Sequence, residues 1–128
     1  MFTGTALIVE DQVITALDLK LTLKNSGYSC VTITNKGKNA LDFIDNVPLS
    51  VALLDIKLAD DVSGIDVAKK LKQKSIPFIF ISAFSNPENF RLANELKPAG
   101  IVKKPFKEQS IKTLLNNLYH SLHKSNLT

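Results

Sequence analysis

The chain has 128 residues, 45% hydrophobic and 22% charged, the make-up of one soluble globular domain with a sizeable core. No apolar run approaches the roughly 20 residues that span a bilayer, and the start, Met1-Phe2-Thr3-Gly4, lacks the basic segment of a secretory signal. The net charge of +4 sits on scattered lysines, and with no Trp and 7% aromatic residues there is little to stack on nucleic-acid bases, so direct nucleic-acid binding is not expected.

Apolar runs and amphipathic segments alternate along the chain. A strand over 5–9 is followed by a helix over 12–25, which Asn25-Ser26-Gly27 ends through a left-handed glycine. The next strand, 29–33, alternates polar and apolar residues as an edge strand does. A helix over 37–46 and a strand over 51–55 follow, with Pro48 between them. The segment 64–74 reads as a helix whose wet face carries Lys69, Lys70, Lys72 and Lys74 and whose dry face carries Ile65, Ala68 and Leu71. Pro77 precedes a strand over 78–82. Asn86-Pro87 reads as an N-cap and first turn for a helix over 88–96. A strand over 100–103 and a helix over 108–123 complete the pattern, the helix striped by Ile111, Leu114, Leu115, Leu118 and Leu122. Residues 124–128 read as a polar tail. Five strands alternating with five helices predict an α/β domain with a parallel sheet covered on both faces. The nearly all-apolar strands 1, 3 and 4 belong at its centre. The single Cys30 has no internal disulfide partner, which suits a reducing cytoplasm, and it reads as a small buried residue rather than a reactive thiol.

The chemistry lies at the strand ends, where open α/β sheets place their sites. Ala6-Leu7-Ile8-Val9 ends in Glu10 and Asp11, and Val51-Ala52-Leu53-Leu54 ends in Asp55. Phe78-Ile79-Phe80-Ile81 ends in Ser82, and Ile101-Val102-Lys103 in Lys104. A carboxylate accepts a phosphoryl group only if cations neutralise both negative partners. Glu10, Asp11 and Asp55 supply the oxygen ligands that Mg²⁺ prefers. Lys104 supplies a point charge for a phosphoryl oxygen and Ser82 a hydroxyl donor. Without metal, three acids at one edge repel one another, so at least one pKa is expected to rise. Asp60 and Asp61, in the loop after Asp55, read as solvated turn residues. His120 and His123 are too few to hold a zinc ion.

The pieces Leu7-Ile8-Val9-Glu10-Asp11, Leu53-Leu54-Asp55, Gly64, Ile81-Ser82-Ala83 and Lys104-Pro105-Phe106 together resemble the receiver domain of two-component response regulators. The resemblance runs from Leu7 to about Leu118. It implies a flavodoxin-like, doubly wound sheet of order 2-1-3-4-5. It also implies that Asp55 takes a phosphoryl group from a histidine kinase or phosphotransfer protein in a Mg²⁺-dependent step. Asp11 and Asp55 would touch the metal, Glu10 would assist, and the backbone carbonyl of Lys57 would complete the protein ligands. A cis peptide at Lys104-Pro105 is a further expectation. One position departs from the pattern: Ile101 stands where receivers carry an aromatic residue, which puts the usual output through helix 4, strand 5 and helix 5 in question. A homodimer through that same face is a family habit that the sequence leaves open.

Two alternatives remain beside the phosphoacceptor switch. One is a receiver-fold interaction module that works without phosphate. The other is a phosphatase with an aspartate nucleophile, disfavoured because Lys57 stands where such enzymes carry a second acid. No glycine-rich phosphate loop follows any strand. No output domain follows Phe106, so the chain reads as a stand-alone receiver or as the receiver piece of a longer protein, binding an output partner not named by the sequence.

Overall fold

The computed structural model describes residues 4–126, and the side chains of residues 4–121. The apolar runs form strands β1 (Thr5–Val9), β2 (Cys30–Thr34), β3 (Val51–Leu54), β4 (Phe78–Ser82) and β5 (Gly100–Lys103). The helices are α1 (Val13–Asn25), α2 (Gly37–Asn46), α3 (Gly64–Gln73), α4 (Pro87–Glu95) and α5 (Glu108–Asn126). Every strand pair is parallel and the order is β2-β1-β3-β4-β5. This is the doubly wound, flavodoxin-like arrangement, in which β1 and β3 meet at the point where the winding reverses.

Strand residues alternate between two cores because successive side chains point to opposite faces. Leu7, Val9, Leu54 and Phe80 pack with Ile44, Ala68, Leu71 and Ala93 beneath α2, α3 and α4. Ile8, Leu53, Ile79 and Ile81 pack with Leu19, Leu23, Ile111 and Leu115 beneath α1 and α5. The three central strands are buried on both faces, which is why they carry almost no polar residue. No described helix is long and apolar enough to cross a membrane.

Several local expectations are met. Gly27 has a φ of 100° just past α1. Asn86 caps α4 by accepting from the Glu88 amide at 2.9 Å, with Pro87 at the first helical position. The lysines of α3 lie on its outer face, where Lys70 and Lys74 pair with Asp45 and Lys72 donates to the Leu96 carbonyl. Two expectations need correction. Cys30 is exposed, because it begins the edge strand β2 rather than lying within the core. The last helix passes residue 123 and runs to Asn126, with no Gly or Pro to stop it. The rest of the expected tail and the side chains of Leu122 and His123 lie outside the described residues.

Gly64 fixes the geometry after β3. Its amide donates to the Ile56 carbonyl at 2.7 Å. A Cβ added there would stand 1.9 Å from the Asp55 carbonyl oxygen. Helix α3 therefore starts in direct backbone contact with the Asp55 segment. Ser63 caps it, in a reciprocal arrangement with Asp66. Gly64→Ala is expected to lose at least about 2 kcal/mol of stability, since the clash is with backbone that cannot yield. Ser63→Ala, which removes only the cap, should lose about 1 kcal/mol. Urea unfolding of the two variants checks the ranking.

Candidate functional site

Parallel pairing brings the carboxyl ends of β1, β3, β4 and β5 to one rim. Val9 pairs with Leu54, so Glu10 and Asp55 leave adjacent strands side by side. The Asp55 amide donates to the Val9 carbonyl at 2.9 Å, which continues the ladder one residue past β3. Ser82 pairs with Lys103, and the Lys104 amide donates to the Ser82 carbonyl at 2.9 Å. The Lys104-Pro105 peptide is cis.

Glu10, Asp55 and Ser82 are buried, and Asp11 is exposed. One carboxylate oxygen from each of Glu10, Asp11 and Asp55 lies within 4.8 Å of the others. The donor set is all oxygen and anionic, which fits a hard divalent cation. Lys104 reaches into the same cluster. Its Nζ donates to Glu10 at 3.0 Å (Oε1) and 2.9 Å (Oε2), and to Asp55 Oδ2 at 2.9 Å. The second oxygen of Asp55, Oδ1, accepts from the Ile56 amide at 2.7 Å. Glu10 Oε1 also accepts from the Gln12 amide at 3.1 Å.

The titration behaviour follows from this packing. Burial raises the Glu10 pKa above the ordinary carboxylate value; the Lys104 hydrogen bond opposes the rise and the Asp55 charge adds to it. The expected upward shift is present, but desolvation drives it more than repulsion between acids. For Lys104, burial disfavours the charge, yet hydrogen bonds to Asp55 and Glu10 outweigh it and raise the pKa. Lys104 is therefore a charged ammonium at neutral pH.

Lys57 is exposed, two residues beyond Asp55. Asp61 is exposed as expected, and so is His120. Asp60 is not a free turn residue. It is half-buried, and its Oδ1 and Oδ2 accept from the Gly37 and Lys38 amides at 2.9 and 3.0 Å. Those bonds, the Lys38 amide foremost, hold its carboxyl below the usual range. The sequence shows only that Lys36, just before α2, has no side-chain acceptor to cap that helix, not which residue does so. A second missed feature is Phe84, two residues beyond Ser82. It takes a left-handed φ of 50° and meets Phe90 edge-to-face, with ring centroids 5.4 Å apart. Ile101 is half-buried and packs on the α2–α4 side of the sheet.

Comparison with known proteins gives a consistent result. The family model for the response regulator receiver domain matches residues 6–116. The response regulator SaeR of Staphylococcus epidermidis is 34% identical over 125 residues, 95% of this chain and 53% of that protein. The phyllosphere-induced regulator PhyR of Methylorubrum extorquens is 30% identical over 112 residues, 86% of this chain and 41% of that protein. The chain thus spans about half the length of the curated relatives it matches. Among solved structures, the signal receiver domain of a modulated diguanylate cyclase from Desulfovibrio desulfuricans superposes with a TM-score of 0.85 at 26% identity, covering 94% of this chain and 96% of that one. The PhyR receiver domain of Erythrobacter litoralis gives 0.79 at 28% identity, covering 91% and 90%.

The cation between Glu10 and Asp55 carries a testable consequence. Lys104→Met leaves two buried carboxylates unpaired and should lose about 3 kcal/mol in metal-free buffer. Added Mg²⁺ should restore part of that loss, since one cation replaces another. The pH dependence has a defined sign. The folded pKa of Lys104 is raised, so its stabilisation is complete below the unfolded value of about 10.4 and is lost as pH rises through the folded value. Thermal unfolding across alkaline pH, compared with Lys104→Met, checks this.

Proposed function

The chain belongs to the response regulator receiver domain family, and on that premise we propose that it is a phosphoacceptor switch in which Asp55 takes a phosphoryl group from a phosphohistidine donor. The observation that carries the reading is the convergence of Glu10, Asp11, Asp55 and Lys104 at one strand-end rim. Receivers are signalling proteins, and the part assigned to this chain is that of acceptor rather than enzyme.

Asp55 Oδ1 is held by a backbone amide, whereas Oδ2 is held by a side chain that can move. Oδ2 is therefore the oxygen assigned to attack. It forms the O–P bond as the N–P bond of the donor breaks, and the imidazole nitrogen keeps the electron pair. Lys104 then exchanges its carboxylate partners for a phosphoryl oxygen, and the Ser82 hydroxyl donates to another. Glu10, Asp11, Asp55 and the Lys57 carbonyl would hold Mg²⁺, whose charge offsets that of the phosphoryl group and the carboxylate. The pre-existing contacts keep the ammonium positioned and the carboxylate rotamer fixed before the donor arrives.

The partner that supports this reading is a histidine kinase or phosphotransfer protein. The outer face of α1 exposes Val13, Ile14, Leu17 and Leu21, with Ile14 85% and Val13 71% accessible. This apolar stripe starts beside Asp11, at the rim that a macromolecular donor must cover. A phosphate-independent interaction module is the second reading. Ile101 argues only against the family's usual output, since an aliphatic side chain cannot give its ring rotation, while the complete acceptor set argues against a lost phosphorylation step. A homodimer through α4, β5 and α5 rests on family likeness alone.

Acetyl phosphate with Mg²⁺, followed by intact-mass measurement, should add one phosphoryl group to the wild type and none to Asp55→Asn. No adduct on the wild type would favour the phosphate-independent module. Ile14→Asp and Leu17→Asp should leave this small-donor reaction unchanged. Both should slow transfer from a phosphorylated kinase or phosphotransfer protein, by about tenfold for the loss of each buried anchor.

A further inference from the structure

The loop after Asp55 is tied to a neighbouring element by contacts that belong to neither of its flanking elements. The Asp60 carboxylate accepts from the Gly37 and Lys38 amides, the first two of α2, at 2.9 and 3.0 Å. The Ala59 amide donates to the Asn35 carbonyl at 3.3 Å. Gly37 is so close to the loop that a Cβ there would stand 2.4 Å from the Val62 carbonyl oxygen. Helix α2 has no cap of its own, since Lys36 makes no side-chain cap bond and the first turn holds no acid. Asp60 therefore caps α2 from 23 residues away, satisfying amides that a helix start leaves unpaired and placing negative charge at the positive end of its dipole.

We propose that Asp60 is a positioning residue for the phosphoacceptor loop, clamping residues 57–63 to α2 so that the backbone beyond Asp55 is already placed for metal binding. The inference rests on the receiver reading given above and goes beyond it by naming a residue outside the acidic cluster. The loop is held at its far end and in its middle: Gly64 packs on the Asp55 carbonyl, and Asp60 bonds to α2. Between Asp55 and Asp60 the loop holds Lys57, the residue assigned a carbonyl ligand. Without the clamp, each ion bound must first order these residues, and that ordering opposes binding.

The test is Mg²⁺ affinity of the unphosphorylated protein, measured by amide chemical-shift titration on wild type, Asp60→Ala and Asp60→Asn, with amide hydrogen exchange on each. Asp60→Ala should weaken Mg²⁺ by about tenfold, the low end for loss of a group that orients metal ligands. The Gly37 and Lys38 amides should exchange faster, while Leu53 and Phe80 in the central strands keep their protection. Asp60→Asn, which retains one of the two acceptors and turns an amide N–H toward the other backbone donor, should recover only part of the affinity. Unchanged affinity in Asp60→Ala, with Gly37 and Lys38 deprotected, would overturn the clamp and leave the receiver reading standing. Weakening in Asp60→Ala without faster exchange at Gly37 and Lys38 would also overturn it, since the effect would then be charge attraction and not positioning. A wild type that binds no Mg²⁺ at the Asp11 and Asp55 amides would overturn both.

Discussion

One ammonium group held between two buried carboxylates organises this rim. Lys104 lies 94 residues from Glu10 and 49 from Asp55 along the chain, yet its Nζ meets both at about the same distance. The contact joins the ends of β1, β3 and β5, so it can form only when the sheet is wound in its observed order. A buried carboxylate pair without a cation is strongly unfavourable, and so is a buried ammonium without an anion. Each group is tolerated because of the others. The same balance makes the cluster responsive: any new charge that arrives must be met by redistribution of the three already present.

The backbone around this triangle is rigid where chemistry needs it. Parallel ladders set Glu10 beside Asp55, and the ladder bond from the Asp55 amide to Val9 carries the order one residue beyond the strand. Gly64 lets α3 begin against the Asp55 carbonyl, where any side chain would intrude. The Asp60 carboxylate joins the loop between them to α2. The rim therefore combines a fixed backbone floor with one side-chain cation that holds both carboxylates. That is the combination a reversible phosphoryl switch requires, because a small charge change must bias a discrete rearrangement rather than deform the whole.

The fold was legible because local and global signals agree. Apolar runs of four or five residues, separated by amphipathic helices and punctuated by Gly27, Pro48, Pro77 and Asn86-Pro87, leave little choice but a parallel sheet. The acids, serine and lysine at strand ends were legible for the same reason: polar groups ending buried strands converge once the strands are parallel. What was hidden depends on partners distant in sequence. Cys30 reads as buried, but it begins the edge strand, where among the described residues no further strand covers it. Asp60 was read as solvated because its partners are amides of a helix 23 residues earlier. The rise in the Glu10 pKa was expected, but its main cause is the burial imposed by packing rather than the neighbouring charges visible in sequence. Phe84 was missed because left-handed backbone at a non-glycine residue has no composition signal.

A phosphoryl group on Asp55 should take Lys104 away from Glu10. A crystal structure of the Mg²⁺–beryllofluoride complex tests it most directly, since beryllofluoride on Asp55 mimics the phosphoryl group. Nζ of Lys104 is expected within hydrogen-bond distance of a fluoride, with its contacts to Glu10 lost and Mg²⁺ bound by Asp11 and Asp55. A complex in which beryllofluoride is bound but Lys104 still bridges Glu10 and Asp55 would contradict it.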